Sequence, residues 1–199
     1  LDEVVAGQEE TKKELSIAAY LHYLRMNEDL KQEKNSENPL KTSSDTPLSP
    51  SKENHENYQK LKKYNMLLIG PTGSGKTLLM QTLAKILDVA YIIVDANSLT
   101  EAGYVGEDVE GIISKLFNSV YYEGHPNLQE CIRKTKYGFI FIDEIDKKYA
   151  TDGTTANRDV SGRGVQQNLL KIIEGTDINV FPGNKKNPHQ EPITINTSS

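Results

Sequence analysis

Apolar residues fall along this chain in two rhythms. Met66-Leu67-Leu68-Ile69, Ala90-Tyr91-Ile92-Ile93-Val94-Asp95 and Phe139-Ile140-Phe141-Ile142 are short runs bounded by turn formers, which predicts buried strands over 66–69, 90–95 and 138–142. Between them apolar positions recur at helical spacing, predicting helices over 75–87 and 107–120. The resulting β–α–β–α–β order implies an α/β fold: a parallel sheet flanked by helices on both faces. Outside this core, Leu15, Ala18, Ala19, Leu21 and Leu24 predict an amphipathic helix over 9–26. Val165, Leu169, Leu170, Ile172 and Ile173 predict another from Gly164 to Glu174, set among loops from 148 to the end. Residues 27–63 break the rhythm. Lys, Glu, Asn, Ser and Pro dominate there, with Leu30, Leu40, Leu48, Tyr58 and Leu61 the apolar exceptions. So little apolar surface cannot offset the entropy of ordering, which predicts a mostly disordered insert. The domain proper then comprises residues 1–26 and 64–199, with no internal repeat.

The first strand runs into Gly70-Pro71-Thr72-Gly73-Ser74-Gly75-Lys76-Thr77. Strand, glycine loop and helix is the context in which this spacing binds a polyphosphate. Glycines let backbone N–H groups close around the phosphates, and the helix N-terminus adds partial positive charge. Lys76 can reach the β- and γ-phosphates, and the Thr77 hydroxyl can ligate Mg²⁺. The third strand ends in Asp143-Glu144, at the sheet edge where α/β folds bind ligands. Asp143 suits a Mg²⁺ role one shell out, through water. Glu144 suits polarising an attacking water as a general base. Asp146 and Lys147, just beyond, read as a solvated pair. Asp95 and Asn97 read as capping or turn residues at a strand end.

Composition narrows the class. The chain has 199 residues, 36% of them hydrophobic, with net charge −5, enough for one sizeable core. Weak acidity argues against a dominant electrostatic grip on nucleic acid. No run approaches the length of a membrane span, and Leu1-Asp2-Glu3 does not open a signal peptide. The lone Cys131 excludes an internal disulfide and a cysteine-rich zinc site, and reads as a small packing residue. Without an initiator Met, and ending in polar Asn196-Thr197-Ser198-Ser199, the sequence reads as a fragment of something longer.

Leu99-Thr100-Glu101-Ala102-Gly103-Tyr104-Val105-Gly106-Glu107-Asp108-Val109-Glu110 places an aromatic and a valine between two glycines, ahead of a helix with an acidic first turn. Two readings fit: a mobile loop tip presenting Tyr104 and Val105, or a loop anchored by tucking them into the core.

These motifs, together with Val5-Ala6-Gly7-Gln8, Ile142-Asp143-Glu144-Ile145-Asp146-Lys147 and Arg158-Asp159-Val160-Ser161-Gly162-Arg163-Gly164-Val165-Gln166-Gln167, occur in an order that resembles the ClpX family of AAA+ unfoldases. The resemblance covers the chain apart from inserted material at 27–63 and 121–136. It implies an ATPase that threads unfolded or tagged proteins through a hexameric pore into a ClpP-like peptidase, using ATP/ADP and Mg²⁺. It assigns Val4 and Val5 to the adenine pocket. Gly73, Ser74, Gly75, Lys76, Thr77 and Leu78 bind nucleotide, Thr77 and Asp143 hold Mg²⁺, and Glu144 is catalytic. Tyr104 and Val105 become a pore loop that grips the translocating chain, and residues 158–164 a second one. Neither a nucleic-acid nor a membrane partner is implied.

Two single positions and one loop depart from the family pattern. Ala6 stands in place of Ile, which would enlarge the base pocket. Arg163 stands in place of Glu, reversing a charge. Asn184-Lys185-Lys186-Asn187-Pro188-His189 replaces an Arg-Lys-His loop and so lacks the bidentate arginine fork. The resemblance also places the sensor residue, the arginine finger, the small helical domain, the ClpP-docking loop and the N-terminal zinc domain beyond these residues, so little ATPase activity is expected of this stretch alone. Two alternatives stay open: an HslU-type unfoldase, which shares the Gly-Tyr-Val-Gly loop, and a AAA+ remodelling chaperone working without a protease. A DNA-directed AAA+ protein would show a basic stripe instead of the apolar loop. The family works in the bacterial cytosol and in organelles of bacterial origin; the Asn- and Lys-rich insert leans towards an organelle.

Overall fold

The computed structural model describes residues 1–37, 63–100, 107–124, 127–148, 162–184 and 191–198. The chain divides into two units, Leu1–Val5 with Leu68–Ser199, and Ala6–Leu67.

The second unit is built on helix α1, Glu9–Glu37, which opens with Glu9 and Glu10 beside the positive end of its dipole. Leu15 and Ala19 are its buried apolar positions, one turn apart. The helix runs past Met26, the end predicted for it, into the segment expected to be mostly disordered. Residues 27–37 are polar, but Glu, Lys, Gln and Leu are good helix formers and no Gly or Pro interrupts them. The rest of that segment, 38–62, lies outside the described residues.

In the first unit, helix α2 (Lys76–Leu87) is followed by strand β1 (Tyr91–Asp95). A 3₁₀ turn at Ala96–Ser98 leads into the two-residue strand β2 (Leu99–Thr100). Then come β3 (Glu107–Asp108), α3 (Val109–Tyr122), α4 (Leu128–Lys136) and β4 (Phe139–Asp143). A second 3₁₀ turn, Ile145–Lys147, leaves β4. Helix α5 (Arg163–Glu174) precedes strands β5 (Asp177–Val180) and β6 (Ile193–Asn196). β1 and β4 pair in parallel, with Asp95 opposite Asp143. β2 and β3 form a short parallel pair, and β5 and β6 an antiparallel one.

Helix α3 is the spine. Its Ile113, Phe117 and Val120 pack with Cys131 of α4 and with Ile178, Val180 and Ile195 of the β5–β6 pair. Its Val109 and Ile112 pack with Val94, Leu99, Val165 and Leu169. Ile92, Ile140 and Ile142 complete that second cluster, so one face of β1 and β4 lies against α3 and α5. Asp108 caps α3 by accepting from the Gly111 N–H, and Asn127 caps α4 by accepting from Glu130 N–H at 2.7 Å. Buried Asn118 fastens the far end of α3. It donates to the Phe181 carbonyl at 3.4 Å and accepts from the Gly183 N–H at 2.8 Å.

Three sequence expectations need correction. Residues 66–69 do not form a strand: the backbone over 63–70 joins no ladder, and Ile69 is 87% exposed. An apolar run marks a segment suited to burial, but a strand also requires a partner edge, and the pairing here is between β1 and β4. The helix α4 falls in the inserted stretch 121–136, where none was predicted. The β5–β6 pair falls in what read as loops. Its signal was present, because Asp177-Ile178-Asn179-Val180 and Ile193-Thr194-Ile195-Asn196 alternate strictly and bury Ile178, Val180 and Ile195.

Candidate nucleotide site

The glycine loop adopts the backbone its sequence calls for. Gly73 and Gly75 have φ of 82° and 85°, a region closed to most L-residues. A Cβ on Gly73 would meet nothing within 4 Å, so glycine is required there for the turn and not for space. Gly75 is the residue from which α2 starts, leaving the first N–H groups of the helix free of intrahelical partners. Lys76 folds back over the loop, its Nζ donating to the carbonyls of Gly70 at 2.8 Å and Pro71 at 2.9 Å. Half-buried Ser74 closes the turn through its N–H to the Pro71 carbonyl at 3.3 Å. Leu78 is partly exposed on the first turn of α2.

β4 delivers two carboxylates to the same place. The Thr77 hydroxyl donates to Asp143 Oδ2 at 3.0 Å, joining motifs 66 residues apart in sequence. Asp143 Oδ1 accepts from the Glu144 N–H at 2.9 Å. Glu144 itself has φ 56°, a left-handed turn that ends the strand. Both of its carboxylate oxygens are engaged. Asn97 Nδ2 donates to Oε2 at 2.7 Å, and Lys147 Nζ pairs with Oε1 at 2.6 Å.

Asn97 and Lys147 are the residues that sequence reasoning missed. Asp95 does serve the turn, accepting from the Asn97 N–H at 2.8 Å, but the Asn97 side chain reaches across to Glu144. The available signal was the strand register: β1 and β4 end side by side, so the turns that leave the two strands lie within reach of each other. Lys147 pairs with Glu144 and not with Asp146 as expected. The hydrogen bond to Glu144 raises its ammonium above the ordinary lysine value, with the charges of Glu144, Asp146 and Asp95 adding to that.

Of the remaining predicted residues, Val5 is buried and Val4 is half-exposed, each with its N–H on the Leu1 carbonyl. Tyr104, Val105 and residues 158–161 lie outside the described residues, as do 185–189 of the basic loop. Among the described residues, no group of three or more His, Cys, Asp or Glu side chains converges on one point. Mg²⁺ is commonly held by one or two carboxylates together with the phosphates of its own substrate. Thr77 and Asp143 offer such hard oxygen donors beside the phosphate loop.

A phosphate loop ahead of α2, joined to an acidic pair at the end of a parallel strand, defines a P-loop nucleotide-binding domain. The chain belongs to the AAA family: the profile of the AAA domain (Cdc48 subfamily) matches residues 61–199. Among individual proteins, it is similar to the ATP-dependent Clp protease ATP-binding subunit ClpX of Treponema denticola, with 46% identity over 201 aligned positions covering the whole chain. The chain spans 41% of the length of that relative.

Proposed function

We propose that this chain is the nucleotide-binding part of an ATP-driven protein unfoldase that works as a hexameric ring and passes substrates to a ClpP-like peptidase. The observation that carries the ATPase part is the bond between Thr77 and Asp143. It sets the hydroxyl of the phosphate loop against the carboxylate at the end of β4, which is the arrangement that a Mg²⁺–nucleotide site needs. The unfoldase part rests on the similarity to ClpX, named as the ATP-binding subunit of a protease.

In this reading the free N–H groups at the start of α2 and the Lys76 ammonium take the phosphates. Thr77 and Asp143 hold Mg²⁺, which when bound neutralises phosphate charge. Ser74 and Leu78 line the phosphate end, and Val4 and Val5 the adenine end. Glu144 accepts a proton from the attacking water, oriented by Asn97. Tyr104 and Val105 press on the substrate polypeptide inside the ring. An aromatic there can push on any chain without reading its sequence.

Calorimetric titration with ADP and Mg²⁺ tests the reading. Binding is expected for the wild type and is abolished by Lys76→Ala. Equal binding by the variant would overturn the assignment.

A further inference from the structure

Beyond Asn97 and Lys147, a third side chain meets this corner. Lys148, the last residue before the chain leaves the 3₁₀ turn, points its ammonium back at the β1–β2 turn. Nζ donates to the Leu99 carbonyl at 2.9 Å and lies 3.3 Å from the Asn97 carbonyl. Its own carbonyl accepts from Gln166 Nε2 of α5 at 2.8 Å. Its N–H closes the turn onto the Ile145 carbonyl at 3.1 Å. Lys148 therefore ties three pieces together: the exit of β4, the turn after β1, and α5.

The consequence falls on Asn97. Its N–H is fixed by Asp95 and its carbonyl by Lys148, so the peptide groups on both sides of its Cα are held. From that held backbone the Asn97 side chain reaches Glu144, donating to Oε2 at 2.7 Å. The Asn97 amide so placed, together with the Lys147 ammonium on Oε1, holds the Glu144 carboxylate. Bonds to a charged group are the stronger kind, and a half-buried ammonium holds its carbonyls with less competition from water. The same clamp grips Leu99, the first residue of β2, so β2 is tied to the turn that orients Glu144.

We infer that Lys148 is a positioning residue for hydrolysis: it sets the Glu144 carboxylate through Asn97. The inference rests on the proposed role of Glu144 in activating water. It makes a kinetic prediction that a merely structural lysine would not share, because an angstrom of misplacement at a reacting group can cost up to about 10²-fold in rate without loss of binding.

The test uses the full-length protein, with steady-state MgATP hydrolysis and ADP titration for Lys148→Met, Asn97→Ala and the double variant, and with Glu144→Gln as the control. Lys148→Met is expected to lower kcat by about tenfold, with KM and ADP affinity held within about twofold. Because both residues act on one carboxylate, the double variant is expected to be no slower than Asn97→Ala. Losses that multiply would overturn the inference, as would a wild-type kcat or a parallel fall in ADP affinity. Should the methionine variant not fold, Lys148→Gln keeps a neutral N–H donor group and is expected to give an intermediate kcat at unchanged ADP affinity; a wild-type rate there would equally overturn it. If Glu144→Gln is inactive while Lys148→Met is normal, only this inference fails. If Glu144→Gln hydrolyses normally, the function reading fails and the inference falls with it.

Discussion

Replacing Thr77 by Val isolates the hydroxyl on which the metal assignment depends. Valine keeps the shape and β-branching of threonine, so the first turn of α2 loses little. What disappears is the 3.0 Å bond to Asp143 Oδ2. A hydrogen bond to a charged group contributes about 1.5–3 kcal/mol. Both partners here are half-buried, so water can take the vacated position on the carboxylate and no orphaned charge remains. The expected stability loss is then about 1 kcal/mol, a fall of roughly 2–4 °C in melting temperature for a domain of this size. The effect on binding has a different form. If Thr77 ligates Mg²⁺, the metal strengthens ADP binding to the wild type and to Thr77→Ser but not to Thr77→Val, while binding in EDTA is similar for all three. Thermal melts and calorimetric titrations with and without Mg²⁺ read the two effects separately. A valine variant whose ADP affinity still rises with Mg²⁺ as in the wild type would refute the ligand role.

Two further outcomes are expected of the full-length protein. Glu144→Gln keeps nucleotide binding and assembly but loses about 10²–10⁴-fold in hydrolysis, since a carboxamide cannot accept the proton of water; a near wild-type rate in an ATPase assay would remove the base from the mechanism. Tyr104→Ala keeps ATP turnover and stability, within about half a kcal/mol, yet stalls unfolding of a stable tagged substrate; a large drop in melting temperature would return Tyr104 to the core.

Much of the site was legible because its chemistry is written locally. A phosphate loop is a contiguous backbone shape, and Gly73 and Gly75 take the left-handed conformations their positions require. Asp143 and Glu144 come directly after an apolar run that does form β4. The contacts around Glu144 were less legible because they depend on register. Asn97 is 47 residues from Glu144 in sequence, and only the parallel pairing of Asp95 with Asp143 brings it near. Lys147 shows the opposite difficulty. Sequence adjacency suggested Asp146 as its partner, but the 3₁₀ turn carries it back over Glu144 at i−3. Residues 66–69 show that a wholly apolar run reports a need for burial and not a hydrogen-bonded partner. The β5–β6 pair shows that period-two alternation in a segment of only four residues is easily lost among turn formers.

The contacts of the site also bear on how a nucleotide could enter it. Lys76 sits on two carbonyls of its own loop, Thr77 on Asp143, and Glu144 on Asn97 and Lys147. Each of these side chains already has a partner within the chain. The lysine contacts are placeholders of modest strength. The Lys76 bonds are exposed and run to neutral carbonyls, and the Lys147–Glu144 contact is a solvent-screened surface ion pair, which contributes little to stability. Exchanging the two Lys76 contacts for phosphate oxygens replaces neutral acceptors by charged ones, which favours the nucleotide. The loop therefore does not need to be built when nucleotide arrives. Its glycines are already turned and its lysine already held over it, so binding replaces partners without ordering new backbone, and the entropy of fixing those dihedrals has been met in folding.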